Sequence, residues 1–300
     1  MGTGDQYFLG IDGGATRCRA RLRDSRGARV GQSVGPAANI YVDYPAALSV
    51  VRSVISEALD QAGLASADSG RMALGLGLAG LSTGADATRI MADLKGFAAV
   101  SVANDAVTAC LGAHAGADGG IVIAGTGSAG MARVAGKERV IGGRGFLLGD
   151  DGSAARIGAD AVRAAMRACD SLSPSTPLTQ SVMQRFEGDP QVALKWALTA
   201  KPSDYGAFAP LVLEAAAVGD PVGRAVVSAA AAALAALTHG VRALGAERVA
   251  LVGGLGPGIR PHLPAEIDAM LHEPLFDAVD GAILLAGGVL AASPDGGRSA

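Results

Sequence analysis

The fold of this protein can be predicted by starting from the segment "GGIVIAGTGSAGMARVAG", residues 119–136. An apolar run is followed at once by Gly125, Gly127 and Gly130, which together spell G-x-G-x-x-G. In a dinucleotide-binding unit such glycines run straight into a helix, whose N-terminal amides hold the pyrophosphate. Here they run into "MARVAGKERVIGG", which is strand-like with Gly136 as its turn. The pattern therefore favours a glycine-rich β-hairpin whose backbone N–H groups face an anion.

A second segment, "GIDGGATRCRARL" at residues 10–22, is built in the same way. An apolar strand leads Asp12 into the turn Gly13-Gly14, and Thr16 leads the chain into the next strand. No G-x-x-x-x-G-K-[ST] occurs, which excludes a P-loop. Each segment alone could be a plain turn, but two of them at the starts of two related halves predict a nucleotide phosphate chain held from both sides.

The order of the predicted elements repeats. Strands are predicted at 7–11, 17–24, 29–34, 72–81 and 100–102, with helices at 44–62, 85–94 and 106–113. After residue 116 further strands are predicted at 121–124, 130–134, 139–141 and 248–252, with helices at 153–169, 177–186, 191–198, 210–218, 221–244 and 280–292. We therefore predict an α/β protein of two domains, 1–115 and 116–300, with duplicated βββαβαβα units and a helical insertion in the second.

The composition indicates a large globular protein. The chain has 300 residues, of which 50% are hydrophobic, so it can bury an extensive core, and its length is typical of about two domains. The net charge is −3, and no Lys/Arg run exceeds two residues, so we expect no surface for nucleic acid or an anionic membrane. A small neutral or anionic ligand fits this composition better.

The cysteines and the N-terminal sequence indicate a cytoplasmic location. Cys18, Cys110 and Cys169 are far apart and lack C-x-x-C spacing, which argues against a disulfide scaffold or a zinc site. The N-terminus lacks the basic and apolar regions of a signal peptide. The apolar runs are shorter than the roughly 18 residues of a membrane span, so the Ala-rich run at 229–237 predicts a packed core helix.

The chain resembles a known family through segments that occur in the family's order. The family is the BadF/BadG/BcrA/BcrD group of the hexokinase, actin and Hsp70 fold, which includes N-acetylglucosamine kinases and bacterial glucosamine kinases. The matching segments are "GIDGGATRCRARL", "AANI", "ANDAVTACLGAH", "IVIAGTGSAG", "GGRGFLLGDDGSAARIG", "DYGAFAP" and "AERVALVGGLG". The resemblance spans nearly the whole chain and implies a ribonuclease H-like fold in each domain.

The resemblance implies direct transfer of the γ-phosphate of ATP to the 6-hydroxyl of an amino sugar. It implies that Asp105 is the general base and that Asp12 holds Mg²⁺ through water, as expected for a cation that dehydrates reluctantly. Gly13, Gly14 and Thr16 would line the phosphates on one side. From the local sequence alone, Asp105 or Asn104 could be only the N-cap of the helix predicted at 106–113.

The second half of the nucleotide site also follows from the resemblance. Thr126 and Gly127 would line the phosphates from the other side. Gly253 and Gly254, which follow the predicted strand "RVALV", would let the backbone approach the adenine and ribose. Without the family, this glycine pair could be a turn that ends a strand.

The predicted sugar contacts are Asn39, Asn104, Asp105, Arg144 and Asp150. The "GDDGS" segment places two carboxylates before a helix, and its second Asp could serve only as a cap. N-acetylglucosamine kinases carry "GGWG" where this chain has "GGRG", so a cation with five donors replaces an aromatic wall. We therefore expect free glucosamine to be preferred over its N-acetyl form. The family also implies a homodimer.

Other functions make different structural demands. A dinucleotide-dependent oxidoreductase needs a helix directly after the glycines of 125–130, and the second G-x-G-x-x-G at 75–80 lies in an apolar run typical of packing glycines. A non-catalytic sugar sensor would have a helix-turn-helix ahead of the first phosphate strand, which this sequence lacks. A reductase-activating ATPase would need cysteines placed for an iron–sulfur cluster. The segment at 204–210 shows no chemistry of its own.

Overall fold

The computed structural model describes residues 6–81 and 83–291. Its first sheet consists of β1 (Tyr7–Gly13), β2 (Cys18–Asp24), β3 (Arg29–Gly35), β4 (Met72–Leu78) and β5 (Ala99–Asn104). The strand order is β3-β2-β1-β4-β5, with β1, β4 and β5 parallel and β2 and β3 antiparallel to their neighbours. The helices that connect these strands are α1 (Tyr44–Gln61), α2 (Gly84–Asp93) and α3 (Asp105–Ala113).

The second sheet repeats the topology of the first. Its first strands are β6 (Gly119–Ala124), β7 (Ser128–Val134) and β8 (Lys137–Gly142). The helical block that follows contains α4 (Ala154–Cys169), α5 (Pro177–Gln184), α6 (Pro190–Ala197), α7 (Pro202–Gly206), α8 (Ala209–Ala217) and α9 (Pro221–Ala243). The chain then forms β9 (Val249–Val252), α10 (Gly256–Ile259), α11 (Ala265–Asp268), β10 (Leu271–His272) and α12 (Ala278–Leu285). The order β8-β7-β6-β9-β10 matches β3-β2-β1-β4-β5, which confirms the duplicated α/β architecture.

The chain divides into two compact units at points that differ from the predicted boundary. Within the described residues, the first unit comprises the chain up to 119 together with 273–291, and the second comprises 120–272. The sequence placed all of 116–300 in one domain. The last helix belongs instead to the first unit because α12 packs against α3, β1 and β4. The predicted end of this helix, residue 292, lies outside the described residues.

Each unit has its own hydrophobic core. In the first, β1 and β4 are buried on both faces, as expected for parallel strands covered by helices, with Leu9, Ile11, Leu74 and Leu76 fully buried. In β2 every second residue is buried, so the Arg residues between them share the other face.

The Ala-rich helix α9 is the long core helix of the second unit. It begins at Asp220, whose carboxylate accepts hydrogen bonds from the N–H groups of Val222 and Gly223, and Pro221 occupies its first turn. Among the described residues it is the helix whose length and hydropathy would suit a membrane span, and a third of its most apolar window is buried. Ala231 and Leu234 are buried in the second unit's core, which confirms the packing predicted for residues 229–237.

Candidate active site

The two carboxylates predicted for the first unit, Asp12 for the cation and Asp105 as the base, lie at one edge of its sheet. Asp12 is in register with Gly77 on β4, and Gly77 with Ala103 on β5. Asp105 follows two residues after Ala103. Because parallel strands end at the same edge, the backbones at Asp12 and Asp105 are separated by about two strand spacings, roughly 10 Å.

The first glycine loop is a compact hairpin turn. The N–H of Gly14 donates to the carbonyl of Arg17 at 3.0 Å, and the carbonyl of Gly14 accepts from the N–H of Ala38 at 3.1 Å. A Cβ at Gly13 would lie 2.6 Å from the Leu78 side chain, so this position has no room for a larger residue. Thr16 is exposed at the tip of the loop. The loop is therefore preformed, with the Gly14 N–H engaged in the turn.

The Asp12 carboxylate is held by an arginine of the next strand. Nη2 and Nε of Arg19 donate to Asp12 Oδ2 at 2.7 and 3.2 Å, so both bonds fall on one oxygen. The described residues contain no group of three or more His, Cys, Asp or Glu able to form a metal cage. Mg²⁺ usually binds one or two protein carboxylates together with substrate phosphates and waters. Asp12 therefore fits a nucleotide-bound Mg²⁺, not a preformed metal centre.

Asp105 is a partly buried carboxylate in the first turn of α3. The N-cap is Asn104, whose Oδ1 accepts a hydrogen bond from the N–H of Ala106 at 3.0 Å. Burial first, and the negative charge of Asp12 second, raise the pKa of Asp105 to about 6, against the opposing hydrogen bond from Ala106. A carboxylate with such a pKa accepts protons readily near neutral pH. The capping role predicted as the alternative thus belongs to Asn104.

The predicted sugar-contacting asparagines lie beside the turn that follows β4. Oδ1 of Asn39 accepts from the N–H of Tyr41 at 3.0 Å, and it lies 2.5 Å from where a Cβ on Gly80 would stand. Nδ2 of Asn104 donates to the carbonyl of Leu81 at 3.3 Å. The structure therefore brings Asn39 and Asn104 to the same edge of the sheet as the two acids.

In the second unit, the two predicted nucleotide loops are neighbours. β6 and β9 are parallel, with Ile123 opposite Val252, so both strands deliver their loops to one edge. Gly253 has φ +104°, and a Cβ there would overlap the carbonyl of Ala124. Among the described residues other than its chain neighbours, no atom lies within 4 Å of a Cβ built on Gly254, so the backbone is open on that side.

Asp150 lies against the second glycine loop. A Cβ on Gly127 would stand 2.9 Å from Asp150 Oδ2, and the N–H of Ser128 donates to Asp150 Oδ1 at 3.4 Å. Its backbone has φ +58°, an uncommon conformation for a residue with a side chain that often marks a functional site. Burial raises the pKa of Asp150. The carbonyl of Thr126, on the same loop, accepts from the N–H of Ala155 in α4.

Asp151 and Arg144 occupy different positions from Asp150. The side chain of Asp151 is 72% exposed and pairs with Arg156 at 3.6 Å. Arg144 is exposed on the loop that joins β8 to α4. That loop is held by Nη2 of Arg156, which donates to the carbonyls of Phe146 and Gly149 at 3.4 and 3.3 Å. Contact of Arg144 with a sugar stays a prediction.

The segment at 204–210 supports this loop through aromatic packing. The ring of Tyr205 lies 5.1 Å from that of Phe146 and 4.7 Å from that of Trp196. Aromatic pairs at such distances stabilise packing beyond the area that they bury. A structural role, which local sequence did not reveal, thus belongs to "DYGAFAP".

An ion-pair ladder that starts at Asp12 was not predicted from the sequence. Arg19 pairs with Asp277 at 3.1 Å, and Arg21 pairs with both Asp277 and Asp280 at 2.8 Å. The ladder consists of Asp12, Arg19, Asp277, Arg21, Asp280 and Arg23. Every second residue of "CRARLR" is an Arg, which indicates a strand face in need of carboxylates. Nothing in the local sequence shows that these lie more than 250 residues away.

The glycine motifs separate the kinase fold from a dinucleotide-binding fold. The chain after Gly127 forms the β7–β8 hairpin and no helix, so the oxidoreductase alternative lacks its phosphate site. Within β4, a Cβ on Gly75 would overlap Ala282, and one on Gly77 would overlap Thr108, which confirms these glycines as packing positions.

Comparisons with known proteins agree with this geometry. The chain is 38% identical over 281 residues to the glucosamine kinase GspK of Vibrio cholerae, which covers 94% of this chain and 96% of that protein. It is 30% identical over 255 residues to an N-acetyl-D-glucosamine kinase of Dictyostelium discoideum, over 79% of each chain.

A solved structure is similar over almost the whole chain. The crystal structure of a candidate N-acetylglucosamine kinase from Chromobacterium violaceum superposes with a TM-score of 0.89 at 36% identity, covering 94% of this chain and 99% of the other. The model of the BadF/BadG/BcrA/BcrD ATPase family matches residues 9–286. This chain therefore belongs to the BadF/BadG/BcrA/BcrD ATPase family.

Proposed function

We propose that this protein is an ATP-dependent amino-sugar kinase that transfers the γ-phosphate of ATP directly to the 6-hydroxyl of its substrate. The observation that carries the proposal is the partly buried Asp105 at the sheet edge, whose pKa of about 6 suits proton acceptance near neutral pH. The relatives named as glucosamine and N-acetyl-D-glucosamine kinases support the substrate class. The oxidoreductase, sensor and reductase-activating alternatives have no comparable support.

Phosphoryl transfer requires the protein to position its substrates, neutralise charge and accept one proton. Asp105 accepts the proton of the sugar 6-hydroxyl as that oxygen attacks phosphorus. The short helix α3 begins at this residue, and Asn104 caps it, so the carboxylate has a fixed origin at the sheet edge. No covalent enzyme intermediate is needed.

In the second unit, the backbones of the two glycine loops bind the nucleotide. Thr126 and Gly127 line the phosphates, while Gly253 and Gly254 allow the adenosine to approach the end of β9. In the first unit, Gly13, Gly14 and Thr16 line the phosphates beside Asp12. Mg²⁺ on the phosphates would neutralise part of their charge, and Asp12 would hold it through water.

The sugar is bound by hydrogen-bonding side chains of the residues that the family resemblance indicated. Asn39 and Asn104 contribute amides in the first unit, and Asp150 contributes a carboxylate in the second. Arg144 replaces the aromatic residue of N-acetylglucosamine kinases, which removes a hydrophobic seat for the acetyl methyl group. Free glucosamine is therefore the preferred substrate. The homodimer and the cytoplasmic location stay predictions.

A coupled ADP-release assay tests this function. The purified protein, with ATP and Mg²⁺, is given glucose, glucosamine, N-acetylglucosamine and N-acetylmannosamine in turn. We expect sugar-dependent ADP release with the amino sugars and formation of the 6-phosphate, identified by mass spectrometry and NMR. Phosphorylation of none of the four sugars would contradict the proposal.

A further inference from the structure

The ion-pair ladder connects Asp12 to the last described helix. The guanidinium of Arg19 lies between two carboxylates, with Nη2 and Nε on Asp12 Oδ2 and Nη1 on Asp277 Oδ2. The side chains of Arg19 and Asp12 are 23% and 15% exposed, so the pair is partly shielded from water. Asp277 also accepts from Arg21 at 2.8 and 3.0 Å. Arg19 is thus fixed from two sides.

Helix α12 and the residues that lead into it also contact α3, the helix that begins at Asp105. The N–H groups of Leu275 and Phe276 donate to the carbonyls of Ala113 and Gly112 at the end of α3. A Cβ on Gly281 would overlap the Thr108 carbonyl, so α3 and α12 meet backbone to backbone. Such close packing transmits displacements between elements instead of absorbing them.

We propose that Arg19 and Asp277 are positioning residues for Asp12: Asp277 fixes the Arg19 guanidinium, and Arg19 in turn fixes the Asp12 carboxylate for the nucleotide-bound cation. The inference rests on the proposed kinase function and extends it to two residues, Arg19 and Asp277, to which the family resemblance assigns no role. Because α12 contacts both Arg19 and α3, one helix sets the positions of the cation-holding acid and the base.

The donor geometry of Arg19 supports this role. The guanidinium is a planar fork whose donors point in fixed directions, so it can bind two carboxylates at once, which a Lys ammonium on a flexible stem does less well. Both bonds to Asp12 fall on Oδ2, and neither uses Oδ1. Arg19 therefore restrains the carboxylate through Oδ2 and leaves Oδ1 outside these two bonds.

The far end of the ladder provides a matched control. Arg23 lies on the same face of β2 as Arg19 and pairs with Asp280, and its further hydrogen bond is to the carbonyl of Gly27. It does not contact Asp12 or Asp277 in these bonds. A ladder that only stabilises the fold would make Arg19 and Arg23 equivalent, whereas a positioning role makes them differ.

The test is a double-mutant cycle read by the affinity for Mg·ADP. Asn at position 277 keeps the N-cap, since Asp277 Oδ1 accepts from the N–H of Asp280 and Asn caps as well as Asp. We expect D277N to weaken Mg·ADP binding about fivefold and R19Q about tenfold, measured by titration calorimetry, with R23Q changing it less than about twofold. In the R19Q background, D277N should add almost nothing, because its effect passes through Arg19.

Steady-state kinetics add a second readout. In R19Q and D277N, KM for Mg·ATP should rise while KM for glucosamine stays within about twofold of wild type. Thermal melts verify folding, and Lys variants at positions 19 and 23 repeat the comparison if a Gln variant fails to fold. If D277N changes Mg·ADP affinity equally in the wild-type and R19Q backgrounds, the positioning role is overturned while the proposed function stands. The same holds if R19Q and R23Q have equal effects on that affinity. A wild-type protein that neither binds Mg·ADP nor phosphorylates an amino sugar overturns the proposed function as well.

Discussion

Asp12, near the end of β1, and Asp105, directly after β5, lie at one edge of the same sheet, and the charge of Asp12 adds to burial in raising the pKa of Asp105 to about 6. Asp12 therefore has two roles in the proposed mechanism: it holds the cation, and it raises the pKa of the base. Two carboxylates with different environments commonly divide such roles.

Replacing the base should remove most of the chemistry without removing binding. We expect Asp105→Asn to lower kcat about 10²–10⁴-fold, because Asn keeps the shape of the side chain but accepts no proton. The affinity for Mg·ADP should change little. Asp60→Asn, at an exposed position on α1, is the control and should leave kcat unaltered. An Asp105→Asn variant that keeps activity within about tenfold of wild type rules out the base role.

The pH dependence should report the raised pKa. The base is active when deprotonated, so kcat/KM for the sugar should rise as the pH increases through about 6 and then level off. The residual activity of Asp105→Asn should lack this acidic limb. The measurement is a pH–rate profile at saturating Mg·ATP. A wild-type acidic limb centred near pH 4, the ordinary range of an Asp, contradicts the assignment.

The raised pKa also predicts a cost to stability. The fold favours the protonated form of Asp105, so this group's contribution to stability is complete below its unfolded value of 3.8 and is lost as the pH rises through about 6. Asp105→Asn should therefore stabilise the protein at pH 8, by roughly 1–3 kcal/mol, and have little effect at pH 4. Urea unfolding at both pH values checks this. An equal effect at the two pH values argues against it.

The contact between α3 and α12 should be intolerant of one methyl group. A Cβ on Gly281 would overlap backbone atoms of Thr108 and Gly112, which cannot move as a side-chain end can. We expect Gly281→Ala to destabilise the first unit by about 3 kcal/mol or more. Gly84→Ala at the start of α2 is the matched control, since in the part of the chain that the structure describes no atom beyond its neighbours and its own helix lies within 4 Å of the added Cβ. Thermal melts that show equal Tm values for the two variants refute this packing.

The substrate preference tests the role of Arg144. We expect kcat/KM to be higher for glucosamine than for N-acetylglucosamine, and Arg144→Trp should shift the ratio toward the acetylated sugar. Because Arg144 is exposed, this substitution should leave the fold intact. A tenfold wild-type preference for N-acetylglucosamine, about 1.4 kcal/mol in transition-state binding, would mean that Arg144 does not select the substrate.

Most strands and helices, and their duplication in two halves, can be predicted from local sequence. Apolar alternation and Gly or Pro at the ends gave most strands and helices, because period and capping are local properties of the chain. The glycine hairpins could be distinguished from a Rossmann loop because the residues after Gly130 alternate as a strand does. The short helices α7, α10 and α11 were missed, since a few residues carry too little periodicity to detect.

The position of α12 and the surroundings of Asp12 and Asp105 depend on tertiary packing and could not be predicted from local sequence. The ladder joins Arg19 to Asp277 across 258 positions, and no local pattern specifies so distant a partner. The pKa of Asp105 depends on its burial and on Asp12, which lies on another strand. Local sequence allows either Asn104 or Asp105 as the N-cap, and the backbone makes Asn104 the cap because its conformation is extended while Asp105 is the first residue of α3. The local sequence determines the chemistry that each residue offers. The packing of distant segments determines its protonation state, its contacts and therefore its role.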